Sequence, residues 1–125
     1  MVDTSGWLEF VADGPNARFF EEPLKQGHRL VVPSVVALEV FRKINREQGM
    51  SPAMEMAGQM RQAGTFVDLD YQVAVEAGRL GIEYKLPLAD SIIYATAQIF
   101  RATLWTQDAD FKGLDGVKFR AKKKR

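Results

Sequence analysis

Four acidic residues stand where chemistry on a phosphodiester would need them. Asp3 directly follows Met1-Val2, a stub of strand, and Asp108 lies two residues beyond the apolar run Leu104-Trp105-Thr106. In an open parallel sheet, ligands bind beyond the carboxyl ends of the strands. Glu39 and Asp90 fall in early turns of helices expected after Val32-Pro33 and Pro87. Carboxylates hold Mg²⁺ or Mn²⁺, and such ions activate water and stabilise charge on a scissile phosphate. Two carboxylates about 5 Å apart repel by roughly 3 kcal/mol at an effective dielectric near 20. Four packed together would need a cation or shared protons.

Each acid also has a local structural explanation. Asp3 could cap the first helix, Asp90 could complement a helix N-terminal dipole, and Asp108 could be a turn residue. Glu39 shares a polar helix face with Arg42, Lys43 and Arg46, so an i, i+4 pair with Lys43 would account for it. Spacing alone does not show that the four converge.

The elements that must position these residues alternate along the chain. Helices are expected over 5–12 and from Gly14-Pro15 towards Lys25, then a buried strand at Arg29-Leu30-Val31-Val32. Pro33, at a first helical position, opens a helix to about Glu47. Gly49 restarts a helix to Gln62, and Gly64 closes it before a strand at Thr65 to Val67. Asp70 to Tyr84 is predicted helical with Val73, Ala77, Leu80 and Ile82 near one side, and Leu88 to Phe100 as a strongly apolar helix. Ala102 to Thr106 and Val117 to Phe119 complete the strands. Such alternation argues for an α/β fold around a mainly parallel sheet.

At 125 residues and 46% hydrophobic, the chain suits one domain with a single core. The absence of Cys removes disulfides, thiolate catalysis and the usual structural zinc sites. No apolar stretch approaches the roughly 20 residues of a membrane span, so a soluble protein without a membrane partner is expected. Of 17 basic residues, five fall in Arg120-Ala121-Lys122-Lys123-Lys124-Arg125, which leaves 12 against 16 acidic residues in the body. The tail reads either as a solvated end or as an RNA-binding segment, Lys122, Lys123, Lys124 and Arg125, that contacts phosphates without reading sequence.

The segments around the four acids resemble the PIN-domain ribonucleases, especially VapC-type toxins of VapBC toxin–antitoxin pairs. Asp3-Thr4-Ser5-Gly6-Trp7-Leu8 is similar to the family's opening motif, and Pro33-Ser34-Val35-Val36-Ala37-Leu38-Glu39-Val40 to its second. Leu86-Pro87-Leu88-Ala89-Asp90-Ser91-Ile92-Ile93-Tyr94-Ala95-Thr96-Ala97 is the most specific match, and Leu104-Trp105-Thr106-Gln107-Asp108-Ala109-Asp110-Phe111 resembles the last motif. The resemblance covers essentially the whole chain.

It implies a PIN-like three-layer sandwich, a mainly parallel five-stranded sheet flanked by helices, over residues 1–120 with 121–125 as a basic tail. It further implies Asp3, Glu39, Asp90 and Asp108 as catalytic and metal-holding residues around Mg²⁺, for which Mn²⁺ substitutes. Thr4, Ser5 and Thr106 would orient carboxylates or water, with Asp110 as an outer member. The implied reaction is hydrolysis of RNA to a 5′-phosphate and a 3′-hydroxyl. A cognate VapB-type antitoxin, a homodimer and a cytoplasmic location follow from the same resemblance. The helix Pro52 to Gln62, with Met54, Met56, Ala57 and Met60, is read as core, or as one wall of an antitoxin groove alongside Trp7, Phe10, Phe19 and Phe20. His28 lies outside every motif, which leaves water activation to metal and carboxylate.

Two motif-level rivals fail. Asp108-Ala109-Asp110 has the form of an aspartyl-phosphatase motif but stands near the end of the chain. An EF-hand starting there would put Phe119 where a bidentate Glu belongs. The alternative from another class is a PIN-like module that binds RNA or protein without cutting, against which stands the presence of all four acids.

Overall fold

The structure is a computed structural model, and it describes residues 1–124; Arg125, counted in the expected tail, lies outside the described residues. Helices α1 (Thr4–Val11) and α2 (Ala17–Leu24) lead through a 3-10 turn to β1 (Val31–Pro33). Next come α3 (Ser34–Gln48), α4 (Met50–Ala63), β2 (Thr65–Val67), α5 (Tyr71–Tyr84), α6 (Leu88–Ile99), β3 (Leu104–Thr106) and β4 (Val117–Phe119). The helices pack as consecutive pairs, α1 on α2, α3 on α4 and α5 on α6.

Local chemistry explains several boundaries. Asp3 starts α1 by accepting from the Gly6 amide, and Asp70 starts α5 by accepting from Val73. Lys85, left-handed at φ 56°, ends α5. Gly49 at φ 99° turns the chain between α3 and α4, a conformation few side chains tolerate. Pro33 differs from its expected place. It is the last strand residue, with ψ 141°, and the helix starts at Ser34.

All strand pairing is parallel, β1 with β2 and β3 with β4. The five-stranded sheet expected from sequence is not what forms. Among the described residues there are two parallel pairs of three-residue strands, plus a single bridge from Val2 to Trp105. The Met1–Asp3 backbone bonds to Thr103 and Trp105 on the β3 side, and among the described residues no backbone bond joins it to β1.

Val2, Val32 and Leu104 from this layer are fully buried, with Phe20, Val36, Val40, Ile93 and Phe111 packed around them. Each such side chain contributes about 1.5–3 kcal/mol on burial. α6 is covered on most sides, Ile93 to Ala97 being buried without a break. Gly6 permits the close approach of α1, since a Cβ there would lie 2.5 Å from Val2 and 2.6 Å from Phe20. Ile82 departs from its expected inward face and is 83% exposed. Among the described residues no helix is long and apolar enough to cross a membrane.

Candidate metal centre

Asp3, Glu39, Asp90 and Asp108 line one cavity of about 490 Å³. The cavity opens where the Val2 segment and β3 end, between the first turn of α6 and the second turn of α3.

Asp3 is 2% exposed, and its carboxylate is heavily bonded. Thr106 donates to one oxygen at 2.6 Å, Ser5 reaches both oxygens at 2.8 and 2.9 Å, and the Gly6 amide donates at 2.9 Å. Thr106 Oγ1 also accepts from the Asp108 amide at 2.9 Å, which ties the two strand-end acids together. Asp108 caps the following 3-10 turn by accepting from the Asp110 amide at 2.9 Å. The capping and turn roles weighed for Asp3 and Asp108 are therefore real, and both side chains face the cavity as well.

Glu39 does not pair with Lys43. Thr4, 35 residues away in sequence, donates to Glu39 at 2.5 Å. Lys43 instead bonds Glu47 at 2.9 Å. The local explanation for Glu39 is thus replaced by a contact that spans α1 and α3.

Asp90, Asp108 and Asp110 form the tightest group, each offering a carboxylate oxygen within 4.8 Å of the others. At that separation one pair of charges repels by about 3 kcal/mol at an effective dielectric near 20. Asp110, placed at the periphery by sequence, stands inside this group, although its own side chain is exposed.

The electrostatics follow from the crowding. Burial pushes the Asp3 carboxyl up to about 6, opposed by the bonds from Thr106, Gly6 and Ser5 and assisted by the charge of Asp108. Asp90 rises further, to about 8, through desolvation first, then the charge of Asp108, then Asp110 by hydrogen bond and charge, and finally Glu39. Its position near the N-terminus of α6 favours a charged carboxylate, but that effect, about 0.3–1 kcal/mol at most exposed sites, is smaller than the repulsion.

Asp90, Asp108 and Asp110 fit a divalent ion, while Asp3 and Glu39 line the same cavity outside that close group. The donors are hard oxygens, and at neutral pH their mutual repulsion is relieved by a proton on Asp90, which a cation would displace. A divalent ion held there would supply water activation and stabilisation of developing negative charge. His28 is exposed.

Three residues around the cavity carried no motif signal. Glu9 lines it but turns its carboxylate to the Asn16 amide at 2.7 Å. Gln107 donates to the Ser5 carbonyl at 3.4 Å and accepts from Asn16 at 3.0 Å. Asn16 is 1% exposed, and its second amide proton goes to the Ala121 carbonyl at 3.0 Å. Asn16 and Gln107 are polar residues at buried positions, whereas Glu9 is only partly buried.

Comparison with solved structures gives the same fold throughout. A toxin–antitoxin complex from Klebsiella pneumoniae superposes with a TM-score of 0.74 at 24% identity, covering 94% of this chain and 93% of that one. DNA-bound VapBC from Salmonella typhimurium gives 0.73 at 15% identity, covering 97% and 96%. Mycobacterium tuberculosis VapC20, a sarcin–ricin loop cleaving toxin, gives 0.72 at 16% identity, covering 91% and 93%. Comparison with curated proteins yields no match. The PIN domain family description matches residues 1–117, so the chain belongs to the PIN domain family.

Proposed function

We propose that this chain is a Mg²⁺- or Mn²⁺-dependent endoribonuclease toxin of the VapC type, acting in the cytoplasm and restrained by a VapB-type antitoxin. The observation that carries the reading is the meeting of Asp3, Glu39, Asp90 and Asp108, drawn from four separate segments, in one cavity. Carboxylates crowded in this way need shared protons or a cation, and a divalent ion is the one of the two that serves phosphodiester chemistry. In this reading those four hold the ion together with Asp110, which stands in the close group with Asp90 and Asp108, and Thr4, Ser5 and Thr106 fix carboxylate orientation through their hydroxyls. The fold shared with toxins, one of them described as cleaving the sarcin–ricin loop, supports RNA as substrate.

Partners are read from two apolar surfaces. A groove of about 310 Å³ between α1, α2 and α4 is lined by Trp7, Phe10, Val11, Leu24 and Met56, and Trp7 Nε1 is buried there without an acceptor. An antitoxin segment with apolar side chains would cover this groove. Met60 and Ala53 of α4 belong to the core, whereas Met54 is 60% exposed. Along α5, the exposed residues Tyr71, Val75 and Ile82 share one helical stripe with Gly78, the surface we assign to a homodimer.

The test is cleavage of cellular RNA by purified protein. Activity should require Mg²⁺ or Mn²⁺, stop with EDTA and be largely lost in Asp90→Asn. RNA binding without metal-dependent cleavage would instead favour a non-cutting PIN module.

A further inference from the structure

The chain does not leave the fold as a loose tail after β4. The Arg120 amide donates to the Thr106 carbonyl at 3.0 Å, and the Arg120 guanidinium lies 4.6 Å from the Phe19 ring centroid. One residue on, the buried Asn16 holds the Ala121 carbonyl at 3.0 Å. Asn16 is fixed in turn through Gln107, whose amide bonds the Ser5 carbonyl, while the Ser5 hydroxyl bonds Asp3. A continuous chain of hydrogen bonds therefore runs from the deepest acid to the backbone at position 121. The next residue, Lys122, lines the acidic cavity.

Lys122 makes no ion pair among the described residues, although its cavity is walled by carboxylates. A structural counter-ion would be paired. Lys122 is exposed at the edge of the cavity, so its ammonium is free to meet an anion that approaches the acids, and the anion this site would receive is a phosphate. Lys43, the other lysine on the cavity, is already engaged by Glu47 at 2.9 Å.

We infer that Lys122 is a built-in phosphate ligand of the site, that Asn16 is the positioning residue that latches it there, and that Lys123 and Lys124 contribute only diffuse screening. The inference rests on the ribonuclease reading, because it is RNA that brings the phosphate.

The test measures binding of a labelled, mixed-sequence single-stranded oligoribonucleotide in the silenced Asp90→Asn background. Loss of one phosphate contact should flatten the salt dependence by about 0.7 in logarithmic slope. Referenced to 1 M salt, Lys122→Ala then weakens binding about eightfold at 50 mM and about threefold at 200 mM. Lys124→Ala should change it little at either salt. Asn16→Ala should mimic part of the Lys122→Ala loss, and adding Lys122→Ala to it should cost less than Lys122→Ala alone. With Asp90 restored, Lys122→Ala should raise KM for RNA and leave kcat nearly unchanged.

Equal effects of Lys122→Ala and Lys124→Ala at both salts would overturn the inference, as would full additivity of Asn16→Ala with Lys122→Ala. If Asn16→Ala does not fold, the comparison of the two lysines still decides. Wild-type protein that cuts no RNA with either metal removes the ribonuclease reading. Wild-type protein that cuts normally, with Lys122→Ala indistinguishable from it, removes only the role given to Lys122.

Discussion

Asp90→Asn should make the metal-free protein more stable, by an amount that grows as pH rises from about 4 to about 8. The Asp90 carboxyl titrates near 8 in the fold against 3.8 as the ordinary value. Between those two values the folded state keeps a proton that the unfolded chain has lost. Stability therefore falls as pH rises from about 4, and the penalty is complete above about 8. At about 1.36 kcal/mol per pH unit the full shift would amount to about 6 kcal/mol. Asp90 is only half-buried, and solvent screening at such a site cuts the figure to about 2 kcal/mol. Asparagine has nearly the same shape, cannot ionise, and can still donate to Asp110.

Thermal unfolding in EDTA across pH 4.5 to 8.5 reads this directly. The variant should match wild type at the acid end and melt about 6–8 °C higher at pH 8.5, taking about 3–4 °C per kcal/mol for a chain this size. Mn²⁺ should then raise the wild-type midpoint at pH 8 while leaving the variant nearly unmoved. A gain that is flat across pH, or a variant that melts lower at pH 8.5, would refute the electrostatic account of the cluster.

Thr106→Val removes the 2.6 Å bond to Asp3, a charge-assisted bond of about 1.5–3 kcal/mol, so the Asp3 carboxyl should rise above about 6. Metal affinity should drop sharply at pH 6.5 and recover in part at pH 8.5; an equal loss at both values would mean Thr106 acts through shape alone. Gly6→Ala places a Cβ 2.5 Å from Val2 and should cost about 1–3 kcal/mol in urea denaturation, an unchanged midpoint arguing that α1 sits further from the core. Ile82→Glu, at a position 83% exposed, should leave the melting of a monomer within about 0.5 kcal/mol yet convert a dimer to monomer by light scattering; a dimer that persists moves the interface elsewhere.

Turn chemistry and short apolar runs made much of the fold legible. Gly64 and the run at 65–67 marked β2, and Pro87 marked the start of α6. Asp70 was legible as a helix start because a side-chain cap is a local event. The failures were of two kinds, local and long-range. Ile82 was misplaced because it stands two residues from Leu80, about 200° around the helix and so on the opposite face from Val73, Ala77 and Leu80. Glu39 seemed to have a partner in Lys43, but a hydroxyl from α1 takes it. The single expected sheet needed the Met1–Asp3 backbone to pair with both β1 and β3, and its bonds run to the β3 side.

The candidate site divides in the same way. Its four acids were visible because they sit at strand ends and early helical turns inside recognisable motifs. Asn16 and Gln107 were not, since their bond joins residues 91 positions apart and neither type signals a site by itself. The basic tail was visible as charge, but its anchoring at Ala121 depends on Asn16, far away in sequence.

The central claim is that these carboxylates hold a divalent ion, and the paramagnetic resonance of free Mn²⁺ tests it most directly. Titrated into the metal-free protein at pH 8, Mn²⁺ should lose its free-ion signal until one or two ions per chain are bound, and Asp90→Asn should leave most of that signal intact. A free-ion signal that grows identically with protein, with Asp90→Asn and with buffer alone would contradict the account.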